Sequence, residues 1–208
     1  MMKIHRTHLT TSTCVALALL WSTSTQATTV QIDARDGDDK PLADAVVFLE
    51  SAEAKRLVKP LAAVEMGQEQ KQFVPAVLAI TVGTEVSFPN RDTVRHHVYS
   101  FSPAKKFELK LYIGKPANPV TFERAGLVVM GCNIHDQMTG WILVVETPYV
   151  GKSPATGKVT LDNVPAGTYM LRTWHTRLPV GAAALSQPFT VPPSGTAVAS
   201  VRMTGLAP

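Results

Sequence analysis

Cysteine is scarce in this chain of 208 residues: there are two, Cys14 and Cys132. Charged residues are sparse as well, at 17 %. No cluster of Lys and Arg interleaved with aromatics occurs, which sets nucleic acid aside as a partner. No Gly-rich phosphate loop is present. Paired acids are missing apart from "DGDD" at 36–39, which reads as a solvated turn rather than a catalytic dyad. Long apolar runs are missing too. The one near the N-terminus is too short to span a bilayer, and no second run of spanning length follows it.

What the N-terminus does contain has three parts. Lys3 and Arg6 form a basic start, "CVALALLW" is a short apolar centre, and "STSTQA" leads to Ala27. That order predicts a secretory signal over residues 1–27, cleaved near Ala27, and a periplasmic or secreted mature protein. The polar residues Thr11, Ser12 and Thr13 before Cys14 lack the apolar context of a lipid-attachment site. Cleavage removes two basic residues and no acidic one, so the formal charge of +4 falls by two. It also removes Cys14. Cys132 is then alone in an oxidising compartment, where an unpaired cysteine usually has a chemical task.

The rest of the chain reads as all-β. In "VLAITVGTEVSF" Leu78, Ile80, Val82, Val86 and Phe88 share one parity, the period of a half-buried strand. Further strand-like runs are "AVVFLE", "RHHVYSF", "FELKLYI", "PVTFE", "GLVVMG", "GWILVVE", "GKVTL", "TYMLRTW", "QPFTV" and "TAVASVRM". Turn residues such as Asp36-Gly37, Pro89-Asn90 and Pro192-Pro193 separate them, and many short strands so punctuated predict β-sandwiches. The stretch "SAEAKRLVKPLAAVEM", interrupted by Pro60, is expected to be irregular or a short helix. A Pro-, Gly-, Ser- and Thr-rich seam, "TPYVGKSPATGK", begins near residue 148.

The segment "GCNIHDQMTGW" places Cys132, His135 and Met138 at three-residue intervals, and "PNRDTVRHHVYSF" adds His96 or His97. A thiolate with two imidazoles and a weak axial thioether suits copper in both oxidation states. Sulfur favours Cu(I) and imidazole favours Cu(II). Zinc also takes Cys and His but seldom recruits Met. Singly, each residue has a plainer reading: a core cysteine, a gap-filling methionine, a loop histidine. The plain reading also stands for His175 in "WHTR", as a packed or surface histidine.

At these residues the chain resembles a family. "VTFERAGLVVMGCNIHDQMTGWILVV" is similar to the C-terminal half of a cupredoxin of the plastocyanin and amicyanin group, with the short Cys-x₂-His-x₂-Met spacing. The resemblance covers roughly residues 66–147 and implies a Greek-key β-sandwich holding one mononuclear type 1 copper. Carried over by position, it makes His96, Cys132, His135 and Met138 the ligands. The departure is His97, where the family has Asn in its "H-N-V" element. Family register favours His96 as ligand. Strand parity, which groups His97 with Tyr99 and Phe101 as candidate core residues, is the counterweight. In the first case His97 is expected to tie its segment to the loop near Asn133 through a hydrogen bond. On either side, "DGDDKPLADAVVFLE" and "GKVTLDNVPAGTYMLRTWH" resemble two parts of a carboxypeptidase-regulatory-like, transthyretin-type sandwich. The expected organisation is a sandwich of residues 28–65 and 148–208 with the copper domain, residues 66–147, inserted in its sequence or packed beside it.

The resemblance implies an electron-transfer protein that docks transiently with redox partner proteins and is not an enzyme. It associates such domains with methylamine-utilisation systems. A periplasmic copper carrier or storage protein would use the same ligands, and a structural or interaction sandwich with an accessory copper site is a further alternative. A copper oxidase or nitrite reductase needs histidines for a second copper. Beyond residue 27 the chain has four: His96, His97, His135 and His175.

Overall fold

The computed structural model describes residues 28–179 and 181–207; the expected signal segment lies outside them. The chain enters through β1 (Thr28–Asp36) and β2 (Val46–Glu50), then a single-turn helix α1 (Ala52–Arg56). Ser51 caps that helix by accepting the Ala54 amide at 3.0 Å, and the helix ends before Pro60. Next come β3 (Val64–Glu65), the hairpin of β4 (Gly67–Glu69) and β5 (Gln72–Val74), and then β6 (Val77–Thr81), β7 (Thr84–Ser87), β8 (His96–Ser100) and β9 (Phe107–Tyr112). The central part closes with β10 (Val120–Phe122), β11 (Gly126–Cys132) and β12 (His135–Val145). The last five strands are β13 (Val150–Lys152), β14 (Lys158–Val164), β15 (Gly167–Trp174), β16 (Leu185–Val191) and β17 (Thr196–Met203).

These strands form layered sheets, so the all-β reading holds. Strands from the two ends of the chain combine. A three-stranded sheet, β14-β1-β17, faces a four-stranded sheet, β13-β2-β15-β16. Alternate residues of each, among them Val30, Ile32, Val47, Leu49, Leu171 and Val201, point into one apolar core. Strands from the middle of the chain make a second pair of sheets, β10-β7-β3 and β6-β12-β11-β8-β9, which enclose Phe73, Ile80, Val86, Phe88, Val98, Phe122, Met130 and Ile142.

A third cluster joins the two pairs. Val77, Leu143 and Val145 on the outer face of the five-stranded sheet pack against Val46, Phe48 and Trp174 on the four-stranded one. All six are buried. Full burial of a side chain of this size is worth about 1.5–3 kcal/mol. The β12 run "WILVV" is therefore apolar at both parities because both faces of its strand are covered.

One expected strand is two. The run from residue 77 to 88 breaks at Gly83, whose φ of 86° only glycine adopts easily, and its halves join different sheets. The shared parity survives because both sheets wrap the same core. The hairpin of β4 and β5 gave no recognised sequence signal. Its turn residues, Gln70 and Lys71, have φ of 52° and 57° where glycine or asparagine would be usual.

Candidate metal centre

Three strand ends converge in the core of the central sandwich. His96 opens β8, Cys132 ends β11 and His135 opens β12. The expected metal loop is in fact a tight hairpin: Cys132 and His135 pair directly, with Asn133 and Ile134 at the turn. That hairpin brings the His135 ring back over the cysteine. Cys132 also pairs with Val98 on β8, which places His96 nearby.

The approach is close. His96 Nδ1 and His135 Nδ1 are 3.2 Å apart, and Cys132 Sγ lies 3.7 Å from the first and 3.6 Å from the second. His96 is fully buried, Cys132 is buried and His135 is half-buried. The structure thus gathers His96, Cys132 and His135, each offering one donor atom, within 4.8 Å of one another. Met138 is buried three residues along β12, in the same apolar cluster as Cys132.

His96 Nε2 lies 2.8 Å from Asp92 Oδ2. A carboxylate accepts, so Nε2 carries a proton and donates it to the bond, while Nδ1 is the ring nitrogen turned toward Cys132. Asp92 also accepts the Gln70 amide at 2.6 Å and the Lys71 amide at 2.9 Å. Burial pushes the Asp92 carboxyl up, but the bonds from Lys71, His96 and Gln70 together outweigh it and hold the group below its ordinary range. Asp92 is a neighbour of the cluster that sequence reading missed. Its signal was an acid in the loop before the first histidine, in "PNRDTVRH", and the three partners that make it matter are set by folding.

The adjacent histidines separate cleanly. His96 points inward with Val98, whereas His97 points outward with Tyr99 and Phe101. The parity argument for His97 fails because Phe101 is not core: it is 77 % exposed. The His97 ring binds Glu108 Oε1 at 2.8 Å instead of the Asn133 loop. The expected side-chain tie is therefore absent, and the two segments are joined through the backbone, where the Asn133 amide donates to the His97 carbonyl at 3.1 Å. His175 sits apart, buried, with Nε2 donating to the Ala43 carbonyl at 3.0 Å and Nδ1 accepting the Arg177 amide at 3.1 Å. Its role is to hold backbone, and burial lowers its pKa.

In the central sandwich, half-buried Tyr112 donates to the Phe88 carbonyl at 2.7 Å and accepts from Gln68 Nε2. Burial pushes the phenol up to about 12, against the opposing bond from Gln68. It stays neutral and acts as a strut.

Two imidazole lone pairs and a sulfur that converge in an apolar core need a proton or a cation between them. Bare lone pairs at this separation repel, and His96 and Cys132 are closed off from water while His135 is half-buried. The donors, two nitrogens and one sulfur with a thioether close in sequence, fit a soft first-row metal and fit copper best.

No protein-family profile matches the chain, and no curated protein matches it. Solved structures are similar over part of it. A Cu-containing nitrite reductase from Thermus scotoductus SA-01 is 29 % identical over 42 % of this chain, with a TM-score of 0.38; the alignment spans 23 % of that enzyme's length. A purple cupredoxin from Nitrosopumilus maritimus is 22 % identical, covering 39 % of this chain and 99 % of its own, with a TM-score of 0.35. A methionine-to-alanine mutant of amicyanin in its Cu(I) form is 22 % identical, covering 48 % and 98 %, with a TM-score of 0.36.

Proposed function

We propose that this chain is an exported electron-transfer protein of the cupredoxin kind, holding one mononuclear copper through His96, Cys132, His135 and Met138. The observation that carries the reading is the convergence of two imidazole Nδ1 atoms and one thiol sulfur in a closed apolar core. Copper bound there supplies a one-electron couple between Cu(I) and Cu(II). The chain's own residues do the rest. Cys132 and the two imidazoles would hold the metal, and Met138 would add a weak thioether donor. Strand pairing on both sides of Cys132 fixes the donors to the sheet, which would keep rearrangement small if copper changed oxidation state there.

His135 is the proposed electron port. It is the one half-buried member of the cluster, and its turn neighbour Ile134 is 48 % exposed. Its ring edge would offer the route to a partner that docks weakly over that turn. The placement of the other described histidines supports a single site in a carrier rather than an enzyme with a second copper. His97 is engaged by Glu108, and His175 is spent on backbone in the other sandwich.

We also propose that the two end segments, expected at residues 28–65 and 148–208, form one transthyretin-like domain with the central segment inserted between its halves; β3 pairs with β7, so the insert begins no later than residue 64 rather than at 66. The core shared by β1, β2 and β14 to β17 supports this. Export to the periplasm or medium through residues 1–27 belongs to the same reading. Among the described residues no helix is long and apolar enough to cross a membrane.

The test is an absorption spectrum of the mature protein with Cu(II) added. An intense visible sulfur-to-copper band that disappears on reduction and returns on reoxidation is expected, and Cys132→Ser should abolish it. A protein that holds Cu(I) tightly and never stabilises Cu(II) would instead be a copper carrier. A colourless Cu(II) complex sinks the proposal.

A further inference from the structure

We propose that Asp92 is the positioning residue for His96, and that the turn of the β4–β5 hairpin exists to hold Asp92. The inference rests on the metal reading above, and it assigns a role to a hairpin that contributes no ligand.

The geometry is a relay. Gln70 and Lys71 both sit in the left-handed region, which disfavours side chains of their kind. In that conformation their two amides point the same way, and each reaches a different oxygen of Asp92: Oδ1 for Gln70 and Oδ2 for Lys71. Bonds from amides to a charged acceptor are stronger than neutral ones and offset the strained turn. Oδ2 then receives the proton of His96 Nε2 at 2.8 Å. The opposite edge of the same imidazole is the one that faces Cys132 and His135.

Other contacts fix the relay at both ends. The Asp92 amide donates to Asn90 Oδ1 at 2.9 Å, while Asn90 Nδ2 donates to the carbonyls of Val94 and Tyr112. The hairpin is stitched to the same loop by backbone bonds, Gln68 N–H to Pro89 and Arg91 N–H to Gln68, and by the Arg91–Glu69 ion pair. A carboxylate so anchored does two things to the ring it holds. It fixes the proton on Nε2, and it makes Nδ1 a stronger donor toward a cation. The stronger donor favours Cu(II) over Cu(I).

The test compares the full mature chain with Asp92→Ala and Asp92→Asn. In the metal-free protein, long-range ¹H–¹⁵N spectra should show His96 as the single Nε2–H tautomer, and Asp92→Ala should give a mixture. With copper, loss of the carboxylate should weaken binding by about 10–100-fold, mostly from Cu(II). Each tenfold preferential loss raises the reduction potential by about 59 mV. Asp92→Asn keeps the shape without the charge, so a rise of the same sign is expected even if the alanine variant folds poorly. An unchanged tautomer together with an unchanged potential overturns the proposal and leaves Asp92 as a cap on the hairpin. If no variant binds copper the metal reading falls, and the metal-free tautomer still decides whether Asp92 orients His96.

Discussion

The two pairs of sheets differ in what their buried polar side chains bind. In the sandwich built from the chain ends they bind backbone. Thr28 donates to the Pro192 carbonyl, Thr147 to Leu49, Ser153 to Leu42 and His175 to Ala43. Each closes a strand end or a loop that would otherwise leave a buried carbonyl unpaired. In the central sandwich Gln68, Thr81 and Asn90 do the same, but His96, Cys132 and His135 turn toward one another. Among the described residues no backbone group satisfies the facing Nδ1 atoms. Polar groups that serve the fold find the main chain; polar groups that face each other in an apolar core point to a ligand.

That contrast can be broken by mutation, and the largest effect falls in the central sandwich. His96→Gly removes an imidazole donor and opens its space. The native copper band should vanish and partly return with added imidazole, as read by titration in the visible range. The flanking sheets should keep their far-ultraviolet circular dichroism.

Ser153→Ala tests the other side. Its hydroxyl donates to Leu42 at 2.6 Å and accepts the Ala45 amide at 2.9 Å, so its loss leaves two buried backbone groups unpaired. A loss of about 1–3 kcal/mol is expected in urea unfolding, with the copper spectrum unchanged. A shifted spectrum would show that the two sandwiches are coupled through the cluster of Val77, Leu143, Phe48 and Trp174.

Met138→Gln is a smaller perturbation. Copper should stay bound and the reduction potential should fall, because the thioether that biases the site toward Cu(I) is gone. An unchanged potential in voltammetry would remove Met138 from the donor set. The smallest effect belongs to His97→Asn. His97 binds Glu108 on the outer face, and the backbone tie between residues 97 and 133 needs no imidazole. The spectrum should be nearly native.

Much of this was legible in the chain before folding. Alternation marked most strands, and the spacing of Cys132, His135 and Met138 marked one wall of the site. Local pattern failed where burial was not local. Phe101 looked like core from its composition, yet β8 ends at the surface there, and that exposure is what separates His97 from His96. The run through Gly83 looked like one strand because parity records which way a side chain faces and not which sheet its strand joins.

The sequence by itself determined the residue types: a thiol and a thioether on either side of one histidine, a pair of histidines upstream, and β-periodicity around them. Those follow from neighbours a few positions apart, where pleat and turn geometry act. Only the tertiary structure decided which histidine faces the sulfur, that Asp92 grips its far side, and that Gln70 and Lys71 adopt a left-handed turn to hold Asp92. Those choices depend on strands β4, β8, β11 and β12 meeting across tens of residues. No local rule carries that information, because a hydrogen bond between distant segments forms only once packing has brought them together.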